Sequence, residues 1–181
     1  MDNSITIRSE SPGDVDAITV VTEAAFATLE VSGHTEQYII EALRAAGALS
    51  VSLVAERDGR VVGHLACSPV AMSDGTPGWY GLGPVSVLPE YQRQGIGKAL
   101  IRAGLARLKD LNARGCCLVG HPEYYRQFGF ENPSDLAIDG VPPEVFFVLS
   151  FDGPIPRGTV TFHEAFTAQG PVRRSPDAEE G

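Results

Sequence analysis

Little in this chain points to redox or metal chemistry. Only three cysteines occur among its 181 residues. Cys116 and Cys117 are adjacent and adjacent cysteines rarely bridge each other; with Cys67 they suit neither a disulfide framework nor a zinc site. They read as small buried hydrophobes of a reduced, cytoplasmic protein that holds no metal. Positive charge is also scarce. Lys and Arg number 14 against 23 Asp and Glu, a net charge of −9. That disfavours nucleic acid as a partner, because phosphate contacts need clustered basic residues. It favours a cationic substrate weakly, by steering, although acidity for solubility alone accounts for it as well. No apolar run is long enough to span a membrane. The opening "MDNSITIRSE" is acidic and polar, unlike a secretory leader. Internal repeats and low-complexity segments are lacking too.

What is present is a chain that can fold around a core. Apolar residues make up 43%, too many for a disordered segment. The length suits one domain, taken as 1–167, followed by a polar, Pro-containing tail over 168–181.

Periodicity supplies the elements. "SITIR" alternates as a strand. In "SPGDVDAITVVTEAAF", Ser11 suits a cap, Pro12 a first helical turn, and Asp14 and Asp16 the positive end of a helix. "HTEQYIIEALRAAG" reads as a second helix with Gly47 placed to end it. Two β-rich runs flank Asp58-Gly59, a strong hairpin signal. A strand over about Trp79–Leu88 precedes a long helix, roughly Gln94–Ala113, with Ile96, Leu100, Ala103, Leu108 and Leu111 as its core stripe. "CCLVG" is a short apolar run, as expected of a strand buried on both faces. Pro122 opens a short helix over "PEYYRQF". "VFFVLSF" and "GTVTFHEAF" close the chain as strands. The order gives a mixed α/β sheet rather than a regular βαβ repeat.

The segment Gln92-Arg93-Gln94-Gly95-Ile96-Gly97 joins a strand to a helix N-terminus, where free amides and the helix dipole attract anions. Glycines allow close approach of a phosphate, and Arg93 and Lys98 add charge. A Walker loop fails, since Ala99 follows Gly97-Lys98. A dinucleotide fingerprint fails, since Leu100 stands where its third glycine belongs. Two readings stay open on these residues alone: a pyrophosphate cradle of neither type, or a plain strand–helix turn.

"VLPEYQRQGIGKAL" resembles the acyl-CoA-binding motif of the GNAT N-acetyltransferases, Gln/Arg-x-x-Gly-x-Gly/Ala. "YYRQFGF" resembles the aromatic segment that follows the next strand in that family. "VSLVAERDGRVVGHLACSP" and "GTVTFHEAF" look like its bacterial YhbS-type branch. The resemblance covers about Ile5–Phe151. It implies a GNAT-like fold, a twisted and mostly antiparallel central sheet with one splayed parallel strand pair, flanked by helices. It implies an acetyl-CoA-dependent N-acetyltransferase acting on an amine of a small molecule or peptide by direct attack in a ternary complex. A non-catalytic acyl-CoA-binding module and a transferase for a longer acyl group are the alternatives.

The resemblance also assigns residues. Acetyl-CoA would lie between strands Leu82–Leu88 and Cys116–Gly120, with its pantetheine arm along Val85 and Val87. Its pyrophosphate would rest on Gln92, Arg93, Gln94, Gly95, Ile96, Gly97 and Lys98. The Val87 N–H would stabilise the oxyanion, and Tyr125 would protonate the departing thiolate; Tyr124 reads as packing. A proton acceptor for the amine is sought among Glu23, Glu30, His64, His121 and Glu123. His121 stands out because it follows the splayed strand directly; a capping histidine is the other reading. Glu30 could equally bind the amine. His163 reads as part of a core strand, and Trp79 and Phe146-Phe147 as core or pocket wall. The loops Ala27–Thr35 and Ser73–Gly78 are expected on the acceptor side. Thr159–His163 offers a strand for pairing in a homodimer.

Overall fold

The computed structural model describes residues 4–29 and 32–172. Glu30 and the expected tail from 173 onward lie outside the described residues. Eight strands and three α-helices follow one another along them: β1 (Thr6–Ser9), α1 (Val15–Phe26), α2 (Glu36–Ala45), β2 (Val51–Arg57), β3 (Arg60–Met72), β4 (Trp79–Val87), α3 (Ile96–Asp110), β5 (Gly115–Val119), β6 (Leu136–Ala137), β7 (Phe146–Ser150) and β8 (Gly158–Phe162). The sheet runs β1-β2-β3-β4-β5-β7, and the far end of β3 carries β8. Pairing is antiparallel along this path except between β4 and β5. No described helix is long and apolar enough to cross a membrane.

Local chemistry explains the boundaries. The β2–β3 turn is Asp58-Gly59, both with positive φ, 52° and 76°, the geometry of a type I′ hairpin. Gly47, at φ 67°, closes α2 as expected. α3 packs its stripe of Ile96, Leu100, Ile101 and Leu108 onto one face of the sheet, against Leu53, Leu65 and Leu82. α1 and α2 cover the other face through Ile18 and Ile40 against Val54. Burying such side chains contributes about 1.5–3 kcal/mol each. Leu111 differs from expectation: it lies just past α3 and is 49% exposed.

Two closing features also differ from the sequence reading. β8 ends at Phe162, and His163 caps a short 3-10 turn, its Nδ1 accepting from Ala165 N at 3.0 Å. It is therefore a cap rather than a strand residue. β8 pairs β3 along one edge and β6 along the other at its start, Gly158–Thr159. The strand expected to be free for a second copy is thus partly enclosed. β6 itself was not anticipated; two residues carry no period. All three cysteines are free and fully buried, and burial pushes the Cys67 and Cys117 thiols up to about 12.

The parallel pair separates where the site lies. β4 and β5 pair only at Trp79/Gly115, Tyr80/Cys116 and Gly81/Cys117. Just beyond, the β3–β4 register slips: Leu65 faces Val85 while Cys67 faces Leu82. Gly83 and Pro84 are the bulged residues. A bulge bends its strand, and proline has no N–H to give a neighbour. β4 turns away from β5, and a wedge opens between them.

Candidate active site

In a strand, successive backbone N–H and C=O groups point to alternate edges. Leu88 N–H donates to Val62 O at 2.9 Å, toward β3. The amides of Val87 and Val85 therefore face the wedge, where β5 no longer pairs them. Gln92 Nε2 donates to Val87 O at 2.9 Å. The amide edge expected to meet an extended, amide-rich ligand is thus unpaired by any strand.

Below the wedge lies the start of α3. Gly95 is its N-cap, in the left-handed region at φ 86°, and Arg93 is left-handed at φ 63°. For arginine that conformation is uncommon and marks a locally strained loop. A cleft of about 480 Å³ opens here, lined by Val85, Val87, Gln92, Arg93, Gly95, Ile96, Gly97 and Lys98. Of the predicted anion-site residues, only Gln94 does not line it. Its side chain is held outside, with Oε1 accepting from Arg57 Nη1 at 2.7 Å. Arg57 and Arg60 also stack over Tyr91, 5.5 and 5.8 Å from the ring centre. The β2–β3 hairpin thus braces the glycine loop from outside. The charge here is cationic at Arg93 and Lys98 and backed by the helix dipole, which suits a pyrophosphate.

Tyr124 and Tyr125 form the opposite wall of the cleft. Tyr124 packs against the core and against Tyr125 and Phe128, as expected, and it also lines the cleft: a methyl on Gly97 would lie 3.4 Å from its hydroxyl. Tyr125 is wedged among Tyr124, Phe130 and Phe147, at ring distances of 5.0, 6.1 and 6.2 Å. Gly120, at the end of β5, makes room for it: a Cβ there would sit 2.7 Å from Cδ2 and closer still to Cε2. Burial, and secondarily Tyr124, push the Tyr125 phenol up to about 12. It therefore holds its proton at neutral pH.

A second cavity, about 380 Å³, opens on the other side of β4, toward α1 and α2. Val85 and Tyr125 are the two residues that line both. Its walls are apolar, and among the described residues Glu36 is the one charged side chain on them. Sequence reasoning passed over Glu36, because a glutamate in a first helical turn is ordinary.

The proposed proton acceptors stand elsewhere. Glu23 and Glu123 are exposed and line neither cavity. His121 is exposed, its Nδ1 accepting from Glu123 N at 3.3 Å, so its ring holds its own turn. His64 is fully buried on β3. Its Nε2 lies 2.8 Å from Ser52 Oγ, Ser52 donates to Glu10, and Arg44 forks onto the same carboxylate at 3.1 and 3.0 Å. Burial holds His64 down at about 4. The loop Ser73–Gly78 does not line the second cavity. Asp74 ties it to Arg157 N at 3.0 Å, at another part of the surface. Trp79, Phe146 and Phe147 are core. No cluster able to hold a metal occurs among the described residues.

An open parallel pair, an unpaired amide edge and a glycine-lined helix start define the acyltransferase class of fold. The comparisons agree. Residues 48–132 match the acetyltransferase (GNAT) domain profile. An N-acetyltransferase named YhbS of Escherichia coli is 32% identical over 126 residues, covering 69% of this chain and 72% of that protein. The chain belongs to the GNAT family of N-acetyltransferases. Among solved structures, a GNAT family acetyltransferase of Brucella melitensis in complex with acetyl-CoA superposes with a TM-score of 0.82 at 48% identity, covering 91% of this chain and 99% of that one. E. coli YhbS in complex with CoA superposes equally well, TM-score 0.82, at 29% identity, covering 96% and 99%.

Proposed function

We propose that this protein moves the acetyl group of acetyl-CoA to an amine, by direct attack in a ternary complex. The observation that carries the reading is the junction at Val85 and Tyr125, where the two cavities meet. A donor in the first cleft and an acceptor in the second would bring their reacting ends together there. The crystallised relatives with acetyl-CoA and CoA support the donor.

The first cleft fits such a donor. The pyrophosphate would rest on the amides of Gly95, Ile96 and Gly97 with Arg93 and Lys98 beside it, Gln94 acting only through its brace to Arg57. The pantetheine arm would pair with Val85 and Val87. The neutral amine attacks the thioester carbon and forms the N–C bond. Negative charge on the carbonyl oxygen meets the Val87 N–H. The C–S bond then breaks, its electron pair stays on sulfur, and Tyr125 passes its proton to that sulfur. The proton shed by the amine leaves through solvent, and Tyr125 is reprotonated from the same pool. Tyr125's raised pKa keeps it protonated at neutral pH, and a thiolate leaving into the same desolvated wedge would itself be made more basic.

The test is Tyr125→Phe. Turnover at saturating acetyl-CoA should fall by about 10²–10⁴-fold, the usual worth of a positioned acid, with acetyl-CoA affinity retained. Unchanged turnover removes Tyr125 from this role. Release of free CoA thiol over a panel of amines tests the activity itself. Tight acetyl-CoA binding without acceptor-dependent thiol release would favour a binding module instead, and no acetyl-CoA binding would overturn the reading.

A further inference from the structure

Glu36 occupies an unusual position. It is the charged residue on an otherwise apolar wall, and its Oε2 is buried with no hydrogen-bond partner among the described residues. The other oxygen, Oε1, accepts from Ser32 Oγ, and Ser32 Oγ in turn accepts from His34 N at 2.9 Å. One oxygen is therefore fixed, and the other lies buried without a donor in the cavity wall. Leaving a buried acceptor unpaired is costly, so such a group calls for an explanation. Aromatic and aliphatic side chains line the same cavity: Phe26 from α1, Ile39 from α2, Val141, and the Phe162–Phe166 pair with ring centres 5.1 Å apart. Phe162 is set firmly, since a Cβ on Gly81 would lie 2.8 Å from its Cδ1. Among the described residues no cation lines this cavity to satisfy the carboxylate.

We propose that the acceptor is a small amine with an apolar, aryl or alkyl body, its nitrogen held by Glu36 Oε2 and its body by the phenylalanines. This rests on the acetyltransferase reading above and narrows its acceptor. An N–H donor supplies what Oε2 lacks, and an ammonium docks on a carboxylate as its complement; the bound ammonium gives its proton to solvent before the neutral amine attacks. The apolar walls disfavour acceptors with several charges, such as polyamines and aminoglycosides, because each further charge would be desolvated without a partner. Glu36 here positions the amine; the transfer itself stays with the groups at the β4–β5 wedge. The net charge of −9 favours approach of the same ligand.

The experiment has two arms. In the first, thiol release from acetyl-CoA is followed for alkylamines of increasing chain length, 2-phenylethylamine, spermidine and an aminoglycoside. kcat/KM should rise with apolar body size and be greatest for the aryl or longer alkyl amines. In Glu36→Gln the KM for those amines should rise by about ten- to a hundredfold, the worth of a charge-assisted bond, with the acetyl-CoA dissociation constant unchanged. In the second arm, 2-phenylethylamine alone should raise the melting temperature of the wild type and not of Glu36→Gln. That arm needs no turnover. Efficient transfer to spermidine or the aminoglycoside with none to apolar amines would overturn this proposal and leave the acetyltransferase reading standing. So would an unaltered KM in Glu36→Gln. Amine-dependent stabilisation without acetyl-CoA binding would do the reverse. Preference for longer acyl-CoA donors, with no amine stabilisation, would assign the cavity to the acyl chain and overturn it.

Discussion

Replacing Gly120 by alanine adds one methyl and no charge, yet it should act on the reacting centre. The new Cβ would stand 2.7 Å from Cδ2 and 3.0 Å from Cζ of Tyr125. Carbon atoms pack at about 3.5–4.0 Å, so the ring must retreat by about 1 Å. It has little room to do so, because Tyr124, Phe130 and Phe147 close in at 5.0, 6.1 and 6.2 Å between ring centres. Overpacking of this kind costs about 1–3 kcal/mol of stability. A 1 Å misplacement of a reacting group can cost about 10²-fold in rate. The expected result is a folded protein with kcat lowered by about one to two decades. Its acetyl-CoA affinity should be near normal, since the glycine cradle lies on α3, away from Gly120.

The assay is thiol release at saturating acetyl-CoA, with calorimetric binding of acetyl-CoA measured alongside. A double-mutant cycle isolates the cause. If Gly120→Ala acts by displacing Tyr125, it should cost little further rate in a Tyr125→Phe background. Unchanged kcat in the single variant, or a full additional loss in the double variant, would refute the chain from methyl to ring to proton.

Two further outcomes test other parts of the molecule. Gly95→Val forces a β-branched residue into a left-handed N-cap, at φ 86°, which costs about 1–2 kcal/mol and re-aims the cradle amides; acetyl-CoA should bind about tenfold more weakly by calorimetry, and unaltered affinity would sink the pyrophosphate assignment. Burial holds His64 down at about 4 against the ordinary imidazole value of 6.5, so the unfolded chain binds the extra proton between those values; stability is full above 6.5 and falls by about 3 kcal/mol as pH drops to 4. Melting curves should therefore slope steeply over that window in the wild type and weakly in His64→Gln, and parallel slopes would show that His64 does not carry the acid sensitivity. Asp14, held down to about 2 first by Arg8, adds its own loss only below that window.

How much of this was readable in advance depends on the range of the interactions. The Asp58-Gly59 hairpin and the Gly95–Gly97 loop are local: adjacent residues need positive φ, or amides free of side chains, and composition records that directly. The cleft proposed for the donor is built mostly from backbone, the Val85 and Val87 edge and the start of α3, and a short motif can record such an arrangement. Some details still escaped. The exposed Leu111 and the capping role of His163 depend on where an element ends, which periodicity locates poorly. Tyr124 shares its cleft with Tyr125 because a 3-10 turn places neighbours on adjoining sides.

The second cavity, proposed for the acceptor, escaped for a different reason. Phe26 ends α1, Glu36 begins α2, Val119 ends β5, and Phe162 and Phe166 flank the end of β8. Each is unremarkable in its own window: an apolar helix residue, an acidic first turn, a strand terminus. Only the bulge at Gly83-Pro84, which swings β4 from β5, brings these ends around one space. A donor common to a family can be held by backbone geometry, which a motif preserves. An acceptor particular to one protein would here be held by side chains from four distant elements, and no single stretch records their meeting. The unpaired oxygen of Glu36 is therefore visible only after folding, and it is the feature from which acceptor chemistry can be read.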